Sequence, residues 1–466
     1  MNVVHWHLSD DQGFRVESRR FPKLQQLGSD GHYYTQEQIR DVIAYARDRG
    51  IRVVPEFDVP GHTTSWLVGY PQLASAPGPY QIERNWGVFD PAMDPTREST
   101  YRFLDEFIGE MAALFPDPVF HIGGDEVTGK QWKNSPRIRV FMRKHRLSST
   151  EDLQAYFNRR LQKIVAKYGK RMEGWDEILD PDLPKDIIIQ SWRGQKSLAE
   201  AARHGFASIL SAGYYLDHIE PASKLYEVDP LAGDAAALTD EEKARVLGGE
   251  VAMWGEFVSP ENVDSRIWPR AAAVAERLWS PADVNDVASM YRRLDAVNSE
   301  LDRLGLTQRS SYLPMLERLA GGSAVQPLKT LADVFTPATF GQRIRTHGYT
   351  QQTPLVGLVD AARPESETAR EFAMLVERKE WSQVRAWLMR WRDVDPSLHP
   401  AAEVLNRVAA IGLQAVDYLV RGERPPEVWV TQQRAYLEGA KKPVEEVRIA
   451  IVGSVEDLVN ATVSKP

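Results

Sequence analysis

The heptapeptide HIGGDEV, residues 121–127, sets two adjacent carboxylates, Asp125 and Glu126, behind a Gly-Gly step. Glycines let the backbone turn tightly and approach a ligand closely. The pair therefore reads as a delivered active-site element more than as a solvated acidic loop. Carboxylates held this way are candidates for proton transfer. A second set of residues shares the same kind of position: Trp175, Trp192 and Trp254 each close a β-branched or apolar run, and Asp10, Tyr215, Asp217 and Glu256 lie at or just past other such runs.

Neighbouring side chains point in different directions, so Asp125 and Glu126 are poorly placed as two carboxylates facing each other across a sugar, roughly 5–10 Å apart. The pair makes better sense with one as general acid and the other holding substrate. One tryptophan at a strand end is usually core. Three among carboxylates suggest an aromatic-walled pocket, since pyranose rings offer flat C–H faces to π surfaces. Asp10, Asp217 and Glu256 would then accept hydrogen bonds from sugar hydroxyls, an arrangement that rejects analogues lacking them. His5 and His7 form an H-x-H pair on one face of a strand, the pattern of a metal-dependent barrel hydrolase. That rival needs further ligands on later strands, and two of those end in Trp175 and Trp192. The expectation is no metal, with His5 and His7 as hydrogen-bonding or core residues and His62, in the loop after Pro60-Gly61, orienting an acid.

These residues need elements to position them. Strand-like runs occur at Val3–Leu8, Arg52–Phe57, Val119–Ile122, Arg171–Trp175, Ile187–Trp192, Ala207–Ser211 and Glu250–Trp254. Between them lie helical stretches: one starts at Thr35 with capping-box spacing to Gln38 and closes at Gly50, and others cover Tyr101–Phe115 and Glu151–Tyr168. Continuous apolar strands alternating with helices imply a parallel sheet covered on both faces. Polar groups at the ends of all seven strands favour a barrel, because an open doubly wound sheet gathers its ligand groups at one switch point. The expected fold class is therefore α/β, a (β/α)8 TIM-type barrel whose first strand is absent from the chain, over 1–308. A mostly helical C-terminal region of unknown role follows over 309–466. There, Trp381, Trp387 and Trp391, six and four residues apart, read as core positions of a helix.

The 466 residues are 43% hydrophobic and 26% charged, with a formal net charge of −8 and no cysteine. The charge argues against a nucleic-acid or anionic-membrane surface. The absence of cysteine excludes a disulfide framework and thiolate metal sites. No apolar run approaches the roughly 18 residues of a membrane span.

NVVHWHLSDDQGFR, GIRVVPEFDVPGH, FHIGGDEV, GWDEI, IIQSWRG, SAGYYLD, GGEVAMWGEFV and RAAAVAERLW, in that order over about 1–305, resemble the family-20 β-N-acetylhexosaminidases of the glycoside hydrolases. The resemblance implies exo-acting hydrolysis of terminal non-reducing β-linked N-acetylglucosamine or N-acetylgalactosamine. The reaction would be retaining and substrate-assisted: the 2-acetamido oxygen attacks the anomeric carbon to give an oxazolinium, an exception to the two-carboxylate scheme. It implies Glu126 as acid then base, Asp125 on the acetamido N–H, and Tyr215 on the acetamido oxygen. Trp175, Trp192 and Trp254 would enclose the acetamido group and sugar face, Asp10, Asp217 and Glu256 would bind hydroxyls, and His62 with Asp10 would tune Glu126. No cofactor is implied, and the only partner implied is the carbohydrate substrate, with oligomeric state open. In that family HWHLSDDQ lies on the second barrel strand, so the chain is expected to be N-terminally truncated, without the first strand and its arginine. A catalytically impaired sugar-binding remnant is therefore the alternative reading. Compartment stays open, and a secreted or periplasmic location is compatible with the resemblance.

Overall fold

The computed structural model describes residues 1–346 and 348–463. It divides into two compact units: Met1–Gly213 with Asp229–Glu250 and Thr350–Gln352, and Tyr214–Val228 with Val251–Tyr349 and Thr353–Pro466.

The first unit is built on seven strands: β1 (Val3–His7), β2 (Arg52–Glu56), β3 (Val119–His121), β4 (Arg171–Trp175), β5 (Ile188–Ser191), β6 (Ala207–Leu210) and β7 (Val246–Gly249). All pair in parallel and in sequence order, with no reversal. A doubly wound sheet reverses its strand order; this order is that of a (β/α)8-type barrel. The sheet curls far enough for its two ends to meet through side chains: His5 Nδ1 on β1 lies 2.9 Å from Glu250 Oε1, one residue past β7. The last strand corrects the sequence reading. The ladder runs over Val246–Gly249 and not Glu250–Trp254, and beyond it only Ala252 pairs, in an isolated bridge with Tyr215. A bulge steps the register from Ser208↔Val246 to Ile209↔Gly248, and Gly248 takes φ +136° to make it.

Helices α1 (Gln36–Arg47), α2 (Glu98–Leu114) and α3 (Thr150–Lys167) cover the sheet. Thr35 caps α1 with the expected reciprocal bond to Gln38, and Ser149 caps α3 in the same way with Asp152. Under them the strands present Val53, Phe120, Ile122, Met172 and Ile189 to Leu104, Phe107, Phe157 and Leu161. Because strand side chains alternate, the other face of the same strands points inward. Its first layer is apolar: Val54, Val119 and Ile188, with Val3, Ala207 and Ile209 against them. Two residues on along the strands, the next layer is His5, Glu56, His121, Glu173 and Gln190; Glu56, His121 and Gln190 are fully buried. The opening strand thus differs from a simple buried run: Val4 is 43% exposed and the inward positions are Val3, His5 and His7.

The second unit is mostly helical, with α4 (Arg270–Trp279), α5 (Trp381–Arg392), α6 (Pro400–Arg421), α7 (Glu427–Ala440) and α8 (Val452–Ala461). Val384, Leu388 and Trp391 of α5 pack with Leu405, Val408 and Ile411 of α6, and Trp381 and Trp387 lie against this core. A short antiparallel pair, Phe335–Pro337 with Val447–Ile449, interrupts the helices and has no counterpart in the sequence reading. Among the described residues no helix is long and apolar enough to cross a membrane.

Candidate active site

The HIGGDEV turn leaves β3 and lies against the loop after β2. Gly123 has φ +66°, and a Cβ there would fall 1.9 Å from Asp58 Oδ1, so only glycine admits this approach. Gly124 N–H donates to Asp58 Oδ1 at 2.9 Å. Burial, then the neighbouring Asp125 charge, push the Asp58 carboxyl well above the usual carboxylate range. Asp58 lies beside Asp125, whose own carboxyl is raised by burial. Glu126 follows at φ +50° and His62 sits at φ +52°. Two non-glycine residues in the left-handed region, both with acid–base side chains, mark backbone held in place by its surroundings.

His62 joins the groups of this mouth. Its Nε2 lies 3.4 Å from Glu126 Oε2 and 3.6 Å from Asp125 Oδ2, and its Nδ1 lies 3.1 Å from Asp10 Oδ1 and 3.4 Å from Asp11 Oδ2. Burial opposes a charge on this ring, but Asp10 and Asp125 outweigh it and hold His62 well above the ordinary imidazole value. Asp10 is held on all sides: it accepts from Asp11 N–H at 2.6 Å, from His62, and from His7 Nε2 at 3.1 Å. Burial would raise its carboxyl, and the two imidazoles instead depress it.

Trp175 is 3% exposed and donates its indole N–H to Glu56 Oε1 at 2.9 Å, with its ring centroid 5.2 Å from that of His121. It belongs to the charged inner layer. Trp192 is half-buried and donates to Glu177 Oε2 at 3.0 Å. Burial, then Asp125 and Asp176, push Glu177 up to about 8. In the sequence Glu56, Asp58 and Glu177 stand at strand ends without an assigned role. Glu56 and Asp58, two residues apart like His5 and His7, were the available signal, since equal spacing of two puts each pair on one face.

The second unit carries the other four predicted residues. Tyr215 is 9% exposed and stacks on His218 with centroids 5.0 Å apart. Asp217, Trp254 and Glu256 line a shallow cleft together with Phe257 and Arg343. Asp217 Oδ1 faces Trp254 N–H at 3.5 Å, and burial raises its carboxyl. Arg343, 2% exposed, is fixed by Asp360 Oδ1 at 2.7 Å and lies 4.4 Å over the Phe257 ring.

Among the described residues three groups have ligand atoms spaced within 4.8 Å, as a cation requires: His5, Glu56 and His121; Asp10, Asp11 and His62; Asp58, His62 and Asp125. In the first, His5 already lies between Glu56 and Glu250, and His121 Nδ1 accepts from Gly123 N–H at 3.0 Å. A cation there would have to displace the proton that His5 holds between Glu56 and Glu250.

The model of the glycosyl hydrolase family 20 catalytic domain matches residues 1–282. The bovine (Bos taurus) β-hexosaminidase subunit alpha is 42% identical over 320 residues, which are 66% of this chain and 59% of that protein. A β-hexosaminidase of Porphyromonas gingivalis is 36% identical over 350 residues, 69% of this chain and 44% of that one. The chain therefore spans less than two thirds of the length of these relatives. Among solved structures, a chitobiase of Flavobacterium johnsoniae superposes with a TM-score of 0.89 at 37% identity, covering 98% of this chain and 73% of that one. The exo-β-N-acetylglucosaminidase of Vibrio harveyi, in complex with N-acetylglucosamine, gives 0.59 at 32% identity over 66% of this chain and 54% of its own.

Proposed function

Because the chain belongs to glycosyl hydrolase family 20, we propose that it removes terminal non-reducing β-linked N-acetylglucosamine or N-acetylgalactosamine, with retention and with the substrate's own acetamido oxygen as nucleophile. The observation that carries this reading is the Asp125–Glu126 turn, both carboxylates facing His62 and Asp125 backed by Asp58, whose carboxyl burial raises. Two neighbouring acids on one turn do not make the pair that flanks a sugar in enzymes with a carboxylate nucleophile. They suit a mechanism in which Glu126 protonates the leaving oxygen and then activates water. Asp125 takes the acetamido N–H and stabilises the charge that develops on the ring being formed.

His62 and Asp10 orient this pair. Trp192 offers a half-buried ring held by Glu177, whose carboxyl feels the Asp125 charge, and Trp175 stands in the inner layer on Glu56 and His121. Tyr215, Asp217, Trp254 and Glu256 are proposed, on their motifs, as sugar-binding residues, Tyr215 for the acetamido oxygen and the two acids for ring hydroxyls. Residues 1–308 are proposed as the catalytic portion and 309–466 as a helical adjunct.

The test is release of nitrophenol from its β-N-acetylglucosaminide beside the β-glucoside, which lacks the acetamido nucleophile. Turnover of the first should exceed the second by several orders of magnitude. Comparable rates would assign the nucleophile to an enzyme carboxylate. Binding of N-acetylglucosamine without any turnover would make the chain a sugar-binding remnant, and loss of activity to a chelator would favour the metal-dependent rival.

A further inference from the structure

Behind the catalytic pair the acids and imidazoles alternate without a break. From Glu126 the path runs through His62 at 3.4 Å, Asp10 at 3.1 Å, His7 at 3.1 Å, Glu56 at 2.8 Å, His5 at 2.9 Å and Glu250 at 2.9 Å. It starts in the loop after β3, passes the loop after β2, descends β1, and ends past β7. His62 and Asp10 belong to the reading already given. His7, Glu56, His5 and Glu250 have no part in it.

His7 is the link between the two sets. Its Nδ1 faces Glu56 Oε2 and its Nε2 faces Asp10 Oδ2. A neutral imidazole has one N–H and one lone pair, so neutral His7 would turn a lone pair either on the fully buried Glu56 carboxylate or on the part-buried Asp10 carboxylate. Only the imidazolium donates at both ends. Glu56, fully buried, accepts from Trp175 and has His5 Nε2 and His7 Nδ1 within 2.9 Å of its other oxygen, so moving His7 away from Asp10 would also take a cation from a buried carboxylate.

Resting on the functional reading above, we infer that His7 is a positioning residue of the hydrolytic site: a doubly donating imidazolium that clamps Asp10 against His62 and takes up half of the Asp10 charge. Asp10 shares its negative charge between two rings, so its grip on the His62 proton is weaker than that of an unshared carboxylate. Burial works against a charge on His7, and Glu56 and Asp10 outweigh it, placing the group at about 10. The other ionisable groups facing this path are Arg15, Asp11, Asp58 and Asp125 at the Asp10–His62 end, with His121 and Glu173 beside Glu56 and His5.

The sign of the effect separates this role from simple core packing. In His7→Gln a fixed cation is removed, His62 holds its proton more tightly, and the alkaline limb of the kcat/KM profile should move up by about one pH unit. kcat should fall at least tenfold with KM within about twofold. In Glu56→Gln an anion is removed from the same path, and the limb should move the other way. Activity lost in both variants with the limb in place would overturn the inference.

The second measurement uses the unmutated chain and needs no turnover. Neutron diffraction from deuterated crystals at pH 7.5 should show deuterium on both ring nitrogens of His7, and one bare nitrogen would refute the clamp even if neither variant folds. Absence of nitrophenol release from the unmutated chain would count against the functional reading alone, because the His7 protons are read independently of activity.

Discussion

The two faces of the same seven strands do different work. The face under the helices is mostly apolar and carries no charge, with the buried hydroxyls of Ser191 and Ser208 among its aliphatic side chains, and around Phe57 it becomes an aromatic cluster: Phe107 lies 5.0 Å away edge-on and Phe120 5.7 Å away stacked. The inward face changes character over two residues, from Val54, Val119 and Ile188 to Glu56, His121 and Gln190, and then to the Asp58, His62 and Asp125 mouth. Apolar burial stabilises without direction. Buried charges stabilise little and specify much, since each must meet its partner or be left stranded. The outward face therefore holds the sheet together, and the inward face fixes where protons sit.

The largest effects should divide along that line. Glu126→Gln, at the end of the inward face, should cut kcat about 10²–10⁴-fold and leave the unfolding midpoint where it was. Phe57→Ala, at the end of the outward face, should lower stability by about 3–5 kcal/mol and leave kcat per folded molecule nearly unchanged. Denaturant melts and active-site titration on both variants measure this. A Phe57 variant that loses catalysis without losing stability would break the division. Gly123→Ala lies where the two faces meet. Its Cβ would fall inside the Asp58 carboxylate at a φ of +66°, so about 1–3 kcal/mol of strain and a ten- to hundredfold drop in turnover are expected together. Retained activity would show that the turn has room to relax.

Much of the outward face was legible in the sequence, because its signals are local: the Thr35–Gln38 capping box, Gly50 closing its helix, β-branched runs at the strands. The residues at the mouth were legible too, through the Gly-Gly step and the strand-end acids. Three things were not. The last strand was misplaced because EVAMW has the same apolar texture as VLGG, and only the bulge at Gly248 shows where the ladder ends. The exposure of Val4, within a run expected to be covered on both faces, did not show because a β-branched residue in a strand reads alike on either face. The charged inner layer was hidden for a deeper reason. His5, Glu56 and His121 lie on different strands and Glu250 just past another, and what makes them a unit is curvature of the sheet, a property of no single segment.

The smallest effect is the sharpest test of that inner layer. Glu173 sits among His5, Glu250 and Glu56, and burial is the main influence that lifts its carboxyl from its ordinary value near 4.5 to about 7. In the unfolded chain it ionises near 4.5, while in the fold it keeps its proton up to about 7. Between those values the folded state binds more protons than the unfolded one, so stability falls as pH rises through the window. Glu173→Gln removes the titration and keeps the shape. Relative to the unmutated chain it should gain about 1–2 kcal/mol between pH 5 and pH 8, read from urea midpoints at the two values. Phe57→Ala, on the face without charges, should show the same destabilisation at both. If the Glu173→Gln curve instead runs parallel to that of the unmutated chain, Glu173 is ionised in the fold, and the inner layer carries one more anion than its two cationic imidazoles, His5 and His7, are arranged to offset.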